Sequence, residues 1–216
     1  MLYDFLKRTL DILGASIALI ITFPLMIASV LAIIASSKGP VFFTPERVGK
    51  NGKLFKMLKF RSMYMYEING DLVHAEKYLE NHPSLLAKYQ RNSFKLKKDP
   101  RITPAGKFIR KFSLDELPQL LNVLIGDMSL VGPRAYQPDE LTHQQKVYPK
   151  TKKYVKIILG ARPGASGPWQ VSGRSFINFD RRIMMDANYL KKRSVIYDVW
   201  ILFKTPIAMI TGRGAI

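Results

Sequence analysis

The sequence contains no cysteine, which excludes disulfide bonds, thiolate metal sites and a cysteine nucleophile. Histidine is nearly as scarce: only His74, His82 and His143 occur, and their spacing does not match that of metal ligands. A packing or solvent-exposed role is therefore expected for each histidine. Neither an internal repeat nor a low-complexity stretch is evident. Carboxylates remain as the only evident metal ligands in this chain.

Acidic residues are also few, with 16 Asp and Glu against 34 Lys and Arg, a formal net charge of +18 and a pI of about 10.1. Such an excess of positive charge attracts polyanions, so nucleic acid, an anionic membrane face and phosphate-bearing substrates are candidate partners. The length of 216 residues allows one domain with a hydrophobic core and is marginal for two.

One stretch, Ile12–Ala35, has no charged residue and is long enough to span the hydrocarbon core of a membrane as a helix. A cleaved signal peptide is one interpretation, since basic residues precede the stretch, but the stretch is longer than an ordinary signal core. A single transmembrane anchor and a re-entrant hairpin both fit the length.

Two features favour the re-entrant hairpin. Pro24 lies in the middle of the stretch and lacks an N–H donor, so we expect a kink there. Positive charges flank both ends, and by the positive-inside tendency this draws both ends to the cytoplasmic side. The flanking residues are Lys7, Arg8, Lys38, Arg47, Lys50 and Lys53. A single kinked span stays open as an alternative.

Short elements are predicted after the apolar stretch. Val41–Phe43 and Leu54–Phe60 favour strands on either side of Asn51-Gly52, which is a strong hairpin turn signal. Residues 67–98 are polar and have a helical pattern that is broken at Pro83, which predicts an excursion of two surface helices.

A helix is predicted from about Leu114 to Ile125, where leucines recur at i, i+3, i+4 and i+7 and form one buried stripe. Gly126 is expected to end this helix. The stripe consists of Leu117, Leu120, Leu121 and Leu124.

The segment 131–173 is rich in glycine and proline, which is typical of loops shaped around a ligand. The last segment, Ser194–Ile210, is apolar and aromatic, although it contains Lys204 and is interrupted by Pro206. It predicts either a core helix or a helix that lies in the membrane interface.

The best candidates for chemistry are the adjacent carboxylates Asp115 and Glu116. They could simply cap a helix, because Ser113 and Glu116 match the S-x-x-E capping box and Asp115 could itself be the N-cap. The functional interpretation uses the same position. A helix N-terminus beside Arg110 stabilises phosphate groups, and a carboxylate held there stays ionised and can attack phosphorus. The neighbouring carboxylate could hold a divalent cation.

Four arginines lie next to glycine or proline residues that restrict the backbone. Arginine suits bidentate recognition of phosphate. Any one of them alone favours a surface charge, but four on a chain with an apolar membrane segment favour a phosphate-lined site. They are Arg101, Arg134, Arg162 and Arg174. Trp169 lies between two of them and either packs in the core, which it favours by itself, or stacks on a base or sugar.

Several separate motifs follow one another at consistent spacing over nearly the whole chain. They are Lys59-Phe60-Arg61-Ser62-Met63, the run from Arg110 to Gln119, Asp127-Met128-Ser129-Leu130-Val131-Gly132-Pro133-Arg134, Arg162-Pro163-Gly164, Trp169-Gln170-Val171 and Gly173-Arg174. In this order they resemble the bacterial sugar transferases, the monotopic polyprenyl-phosphate phosphoglycosyl transferases. The number of motifs makes the resemblance specific.

The resemblance implies a mechanism. Asp115 matches the family's nucleophile and Glu116 matches its Mg²⁺-binding partner. Asp115 would attack the β-phosphate of a UDP-sugar, release UMP and carry the sugar phosphate until a polyprenyl phosphate, such as undecaprenyl phosphate, accepts it. The product would start an O-antigen, capsule, exopolysaccharide or glycoprotein glycan. The arginines expected to bind the phosphates and the nucleotide sugar are Arg61, Arg101, Arg110, Arg134, Arg162 and Arg174.

The resemblance also implies an α+β, mainly helical fold. Residues 1–38 would form a re-entrant helix-break-helix with the break at Pro24 and both ends cytoplasmic. Residues 39–216 would form a catalytic domain with a small β-hairpin and interfacial amphipathic helices. This domain would lie on the cytoplasmic face of the bacterial inner membrane, whose inner leaflet supplies the lipid partner. Nucleic acid is not expected as a partner, and a homodimer is left open.

The sequence departs mildly from the family pattern. Ala135 stands where the family commonly has proline, and Ser166 stands where it commonly has threonine, which affects loop detail. The excursion at 67–98 and the Trp-Gln-Val-Ser-Gly-Arg segment resemble hexose-1-phosphate transferases, which use galactose or glucose, more than acetamido-sugar transferases. The length is the one expected for a catalytic unit alone.

Two other functions stay open. The first is a basic, membrane-tethered protein that binds nucleic acid or anionic lipid without catalysis, in which Asp115 and Glu116 only cap a helix. The second is a metal-dependent phosphohydrolase that acts on a lipid diphosphate with water as the acceptor.

Overall fold

The computed structural model of the chain describes residues 2–68, 70–92, 96 and 99–211. The α-helices in these ranges are α1 (Leu2–Ser36), α2 (Ala75–Glu80), α3 (Pro83–Arg91), α4 (Pro104–Lys111), α5 (Gln119–Ile125), α6 (Pro138–Val147), α7 (Lys152–Ile158), α8 (Pro168–Ser172), α9 (Phe179–Lys192) and α10 (Val195–Thr211). The strands are β1 (Phe42–Phe43), β2 (Glu46–Val48), β3 (Leu54–Lys56), β4 (Lys59–Phe60), β5 (Met65–Ile68), β6 (Asp71–His74), β7 (Ser129–Val131) and β8 (Gly164–Ser166). Short 3-10 turns occur at Lys50–Gly52, Leu114–Glu116, Pro149–Thr151 and Arg174–Phe176. The expected α+β, mainly helical class is confirmed.

Helix α1 is long and apolar enough to cross a membrane, and only 11% of its most apolar 18 residues are buried. Side chains such as Ile20 and Ile21 are exposed, and an apolar surface of this extent is suited to contact with lipid. The residues on both sides of Pro24 are helical, so the helix is not interrupted there. Re-entrant insertion stays a prediction.

Polar contacts fix the N-terminal part of α1 to the rest of the protein. The carboxylate of Asp11, which is 1% exposed, accepts hydrogen bonds from Ser129 Oγ at 2.8 Å, Leu130 N at 2.9 Å and Lys7 Nζ at 2.9 Å. Arg8 donates to two backbone carbonyls near the C-terminus of α5, at 2.7 and 2.9 Å. A buried carboxylate is costly unless its oxygens are paired, so Asp11 must stay in contact with β7. These contacts therefore determine where α1 packs against β7.

Helix α10 combines one buried polar anchor with an exposed apolar face. Asp198 is fully buried and accepts hydrogen bonds from Tyr3 and Tyr189. Large side chains such as Ile196 and Phe203 are instead more than three-quarters exposed. This exposure favours the interfacial alternative for α10 over the core alternative. The predicted interruption by its proline does not occur, since the helix continues through that residue.

The predicted hairpin around Asn51-Gly52 is confirmed. Strand β2 pairs antiparallel with β3, and β1 pairs antiparallel with β4, so the two pairs continue one ribbon. Asn51 has φ 58° and Gly52 has φ 77°, which is the left-handed conformation that asparagine and glycine tolerate best. The turn is held by a hydrogen bond from Asn51 N to Leu159 O at 2.6 Å.

The prediction that residues 67–98 begin as a helix is wrong for its first part. Strands β5 and β6 form an antiparallel hairpin, and the two predicted helices, α2 and α3, follow it. Gly70 has φ 84° in the turn. The sequence carries the signal, because Asn69-Gly70 repeats the dipeptide that marks the first hairpin. Part of the predicted segment, residues 93–95 and 97–98, lies outside the described residues.

The helix predicted from about Leu114 to Ile125 is divided. A 3-10 turn covers Leu114–Glu116, and α5 begins only at Gln119, after Pro118. Gly126 ends α5 with φ 104°, as predicted. The predicted stripe is correct for Leu117 and Leu120 and in part for Leu124, which packs against the core, whereas Leu121 lies on the exposed side of α5 together with Ile125.

The predicted capping box is also wrong. Ser113 has φ 56°, which is left-handed, and its side chain does not cap the turn that follows. Its Oγ instead accepts a hydrogen bond from Arg174 Nη2 at 2.6 Å. The S-x-x-E pattern needs an extended residue at the serine position, and this backbone does not provide it.

Two glycines allow parts of the site to approach each other closely. A Cβ on Gly164 would lie 2.1 Å from Gly132 N, so the parallel contact of β7 with β8 requires glycine at both positions. A Cβ on Gly106 would lie 1.9 Å from Ser62 O, which sets the position of α4. Thr103 starts α4 by accepting a hydrogen bond from Gly106 N at 2.8 Å.

We expect Gly106→Ala to lower the free energy of unfolding by about 1–3 kcal/mol. The new methyl group overlaps the backbone oxygen of Ser62, which cannot move without shifting β4 or α4. Gly160→Ala is the control, because a Cβ on Gly160 would come no closer to another atom than 3.2 Å, its distance from Ile157 O. Thermal unfolding of both variants in detergent measures the difference. Equal melting temperatures for the two variants would contradict the close approach.

Candidate active site

A cavity of about 260 Å³ lies between the β1–β4 ribbon, α4, the 3-10 turn Leu114–Glu116, and α8. Six of the sequence-predicted residues line it and are therefore brought together by the fold. They are Arg101, Arg110, Asp115, Glu116, Arg134 and Arg174.

Asp115 and Glu116 share one cation. Lys59 Nζ lies 2.9 Å from Glu116 Oε1 and 3.6 Å from Asp115 Oδ2. Asp115 is 8% exposed and opens onto the cavity. The positively charged Lys59 on β4 therefore lets two adjacent carboxylates remain at the wall of a largely buried site.

The two carboxyl groups have opposite pKa shifts. Burial raises the pKa of Asp115, the negative charge of Glu116 adds to this, and Lys59 and Arg110 oppose it. Burial also acts to raise the pKa of Glu116, but Lys59, Arg134 and Arg174 outweigh it and lower the pKa. The expected helix N-terminus is absent at Asp115, which lies in a single 3-10 turn with little dipole, so the groups that favour its ionised form are Lys59 and Arg110. Two carboxyls with separated pKa values are typical of catalytic pairs.

Arg134 is held by an aromatic platform. Its guanidinium carbon lies 4.7 Å from the centre of the Trp169 ring and 5.9 Å from that of Tyr136. Trp169 is buried in the wall of the cavity, so packing and stacking on a ligand both stay predictions for this residue. In the described part of the chain, Arg134 Nε is buried without a hydrogen-bond partner, and the side chain lines the cavity.

Arg174 and Arg110 reach the same cavity from different elements. Arg174 has φ 52° and donates through Nη2 to Ser113 Oγ, which places its guanidinium next to the turn that carries Asp115. Its Nη1 is buried and has no hydrogen-bond partner among the described residues. Arg110 lines the cavity from the last turn of α4 and acts electrostatically on Asp115.

Arg101 lines the cavity, but its donors are used within the protein. Nε and Nη2 bind the two oxygens of Asp99 at 2.8 and 2.6 Å, and Nη1 donates to Ala75 O at 3.3 Å. The guanidinium also lies over the Tyr89 ring at 5.2 Å. Arg101 thus connects α2 with the segment before α4, and its predicted contact with phosphate stays a prediction.

The structure does not bring Arg61 or Arg162 to the cavity, whose described lining residues do not include them. Arg61 is buried and donates to the carbonyls of Ser37 and Lys38, which fixes the segment directly after α1. Arg162 is exposed and donates from Nε to Gly126 O at 2.7 Å.

Sequence reasoning missed Lys59 and His74 as residues of the site. Lys59 belongs to the motif Lys59-Phe60-Arg61, and its ion pair with Glu116 spans 57 positions of sequence. His74 lines the cavity and stacks on Phe43 with ring centres 3.8 Å apart. Burial, together with Arg101 and Arg61, lowers the pKa of His74 to about 4. Neither contact has a local pattern in the sequence.

The carboxylates of the cavity could bind a magnesium ion only together with water and substrate phosphates. No group of three or more His, Cys, Asp or Glu lies together within the described ranges. Mg²⁺ commonly binds one or two carboxylates and completes its shell with water and substrate phosphates. Asp115 and Glu116 supply that carboxylate pair on the cavity wall, so the residues present are compatible with such an ion.

The class of protein is defined by comparison with known sequences: the chain belongs to the bacterial sugar transferase family, whose pattern matches residues 2–212. It is 46% identical over 98% of its length to the undecaprenyl-phosphate galactose phosphotransferase of Salmonella typhimurium. It is 42% identical over 98% of its length to the UDP-galactose-lipid carrier transferase of Erwinia amylovora. It is 39% identical over 97% of its length to the exopolysaccharide production protein ExoY of Sinorhizobium fredii.

The chain spans 42% of the Salmonella and Erwinia relatives and 87% of the Sinorhizobium relative. The family resemblance inferred from the motifs is therefore confirmed.

We expect stability to fall as the pH falls from about 6.5 to about 4. The unfolded chain protonates His74 at its ordinary pKa of about 6.5, whereas the folded state resists protonation down to about 4, so the unfolded state binds more protons in this window. His74→Gln removes this term, and its melting temperature should drop less between pH 7 and pH 5 than that of the wild type.

His82→Gln, at an exposed histidine, is the control. A pH dependence in His74→Gln as steep as in the wild type would contradict the shift.

Proposed function

We propose that the chain is a phosphoglycosyl transferase that moves a sugar phosphate from a UDP-sugar to polyprenyl phosphate and releases UMP. The observation that carries the proposal is a buried aspartate, Asp115, that opens onto one cavity together with Arg110, Arg134 and Arg174. A nucleophilic carboxylate beside guanidinium groups is what transfer of a charged phosphoryl group requires. The names of the Salmonella and Erwinia relatives support a hexose such as galactose as the sugar, with glucose as the alternative.

The reaction proceeds in two displacements. An ionised oxygen of Asp115 forms a bond to the β-phosphorus of the UDP-sugar, and the bond from this phosphorus to the bridging oxygen breaks. UMP leaves with that electron pair, and the sugar phosphate stays bonded to the aspartate. An oxygen of polyprenyl phosphate then attacks the same phosphorus and displaces Asp115, which gives polyprenyl-diphosphate-sugar and the free carboxylate.

The charges of the cavity suit this reaction. Lys59 and Arg110 favour the ionised form of Asp115 against its burial, which a nucleophile needs. Arg134 and Arg174 line the cavity with guanidinium groups, which suit hydrogen bonding to phosphate oxygens. Glu116 would hold Mg²⁺, which supplies neutralisation of the diphosphate charge when bound.

The membrane supplies the acceptor in this proposal. Helix α1 lies in the bilayer with both ends cytoplasmic, and the exposed apolar face of α10 lies in the interface. The polyprenyl phosphate would come from the inner leaflet of the bacterial cytoplasmic membrane. The product would begin an O-antigen, capsule, exopolysaccharide or glycoprotein glycan.

Asp115→Asn should lower UMP release by at least about a thousandfold, because an amide cannot form the phosphoryl intermediate. The assay combines purified protein in detergent, Mg²⁺, polyprenyl phosphate and a panel of UDP-sugars. Asp139→Asn, at an exposed position of α6, is the matched control and should keep full activity.

Each alternative has its own outcome in this assay. A polyanion-binding protein releases no UMP from any donor, and its salt-dependent binding is unchanged in Asp115→Asn. A phosphohydrolase releases free sugar phosphate and makes no glycolipid. Full glycolipid synthesis by Asp115→Asn would overturn the role of Asp115.

Glu116→Gln should raise the Mg²⁺ concentration needed for half-maximal rate by about tenfold or more, because a neutral amide binds a hard divalent cation less strongly. Titration of Mg²⁺ into metal-free enzyme at saturating UDP-sugar measures this shift. Glu46→Gln, at an exposed residue of β2, is the control. An unchanged Mg²⁺ requirement in Glu116→Gln would assign the ion to other groups.

A further inference from the structure

Two charged residues on α9 are fully buried behind the cavity wall. Arg182 is 1% exposed and Asp186 is 0% exposed, and they lie four positions apart on the same face of the helix. The described residues that line the cavity include neither of them. A direct contact with substrate in the cavity is therefore not their role, and buried charges of this kind need another explanation.

Asp186 controls the backbone of Arg134. Its Oδ2 accepts a hydrogen bond from Arg134 N at 3.0 Å, while its Oδ1 is buried without a partner in the described part of the chain. Burial, opposed by the Arg134 N–H and by Arg182, raises the pKa of Asp186 to about 7. A buried carboxylate carries a desolvation penalty that an apolar side chain would avoid, so Asp186 lowers the stability of the fold.

Arg182 supports the platform under the Arg134 side chain. Its guanidinium carbon lies 5.5 Å from the centre of the Tyr136 ring and 5.4 Å from that of Trp169. These are the two rings over which Arg134 lies. Arg182 Nη2 also binds Glu140 Oε1 at 3.2 Å, which ties the platform to α6. The two rings therefore connect a buried guanidinium on α9 with a guanidinium that reaches the cavity.

We propose that Asp186 and Arg182 are positioning residues that hold Arg134 against the diphosphate of the nucleotide sugar. Asp186 fixes the backbone of Arg134, and Arg182 fixes the two rings on which its side chain lies. The inference rests on the proposed function, because it takes the diphosphate as the ligand of Arg134. It adds two residues of α9 that act on the substrate only through a third residue.

The test compares matched variants by their affinity for UDP and their kcat/KM. Arg182→Lys keeps the charge and the reach to Glu140 but loses the planar group, and it should weaken UDP binding about tenfold. Arg181→Lys, at the exposed neighbouring position, is the control and should bind UDP as the wild type does. Asp186→Ala should weaken binding by a similar factor, whereas Asp186→Asn, which keeps an acceptor for Arg134 N, should restore most of it.

A double-mutant cycle with Arg134→Gln separates positioning from general damage to the fold. If Arg182 and Asp186 act through Arg134, then Arg182→Lys and Asp186→Ala cause no further loss of UDP affinity in the Arg134→Gln background. Equal losses in both backgrounds would overturn the proposal, as would wild-type affinity in the single variants. Melting temperatures identify any variant that fails to fold, and Arg182→Lys and Asp186→Asn are the conservative changes that keep the cycle measurable.

The proposed function is tested separately by UMP release from the wild type. If the wild type binds UDP but releases no UMP with any donor, the transferase activity is overturned. The double-mutant cycle then still tests whether Arg182 and Asp186 position Arg134. Normal turnover with losses that do not depend on Arg134 overturns the positioning alone.

Discussion

The site depends on the neutralisation of two adjacent carboxylates at a buried wall. Asp115 and Glu116 cannot both be ionised there without a cation, and Lys59 is the residue that contacts both. Lys59 occupies β4 because the β1–β4 ribbon turns at Asn51-Gly52 and brings this strand back against the 3-10 turn of the carboxylates. The ribbon therefore serves the electrostatics of the site, while α4 adds Arg110 and the segments after β7 and α8 add Arg134 and Arg174.

Glycine contacts determine which motifs meet at this wall. Gly132 and Gly164 allow β7 and β8 to lie so close that the arginine after Gly132-Pro133 reaches the cavity beside α8. Gly106 does the same for α4 and its terminal arginine. The glycine- and proline-rich pattern seen in the sequence thus reflects close backbone packing, and the ligand site is a consequence of that packing.

Local signals predicted local structure well. The Asn51-Gly52 hairpin, the end of α5 at Gly126 and the membrane-compatible helix α1 each follow from short-range rules. The partners of the arginines did not follow, because Arg101 and Arg162 have the same proline neighbours as Arg134 but bind Asp99 and the Gly126 carbonyl in the fold. Lys59 was missed for the same reason, since nothing in its neighbours indicates a partner 57 positions away.

The buried polar contacts of α1 connect this membrane-compatible helix to the wall of the cavity. Asp11 binds Ser129 and Leu130 of β7, and β7 leads directly into Gly132-Pro133-Arg134. A tilt of the exposed apolar part of α1 in the bilayer is therefore resisted at the strand that positions Arg134. In the proposed reaction a lipid-borne acceptor would have to meet a fixed phosphorus atom, and a rigid connection between α1 and the arginine at the cavity would serve that reaction better than a flexible tether.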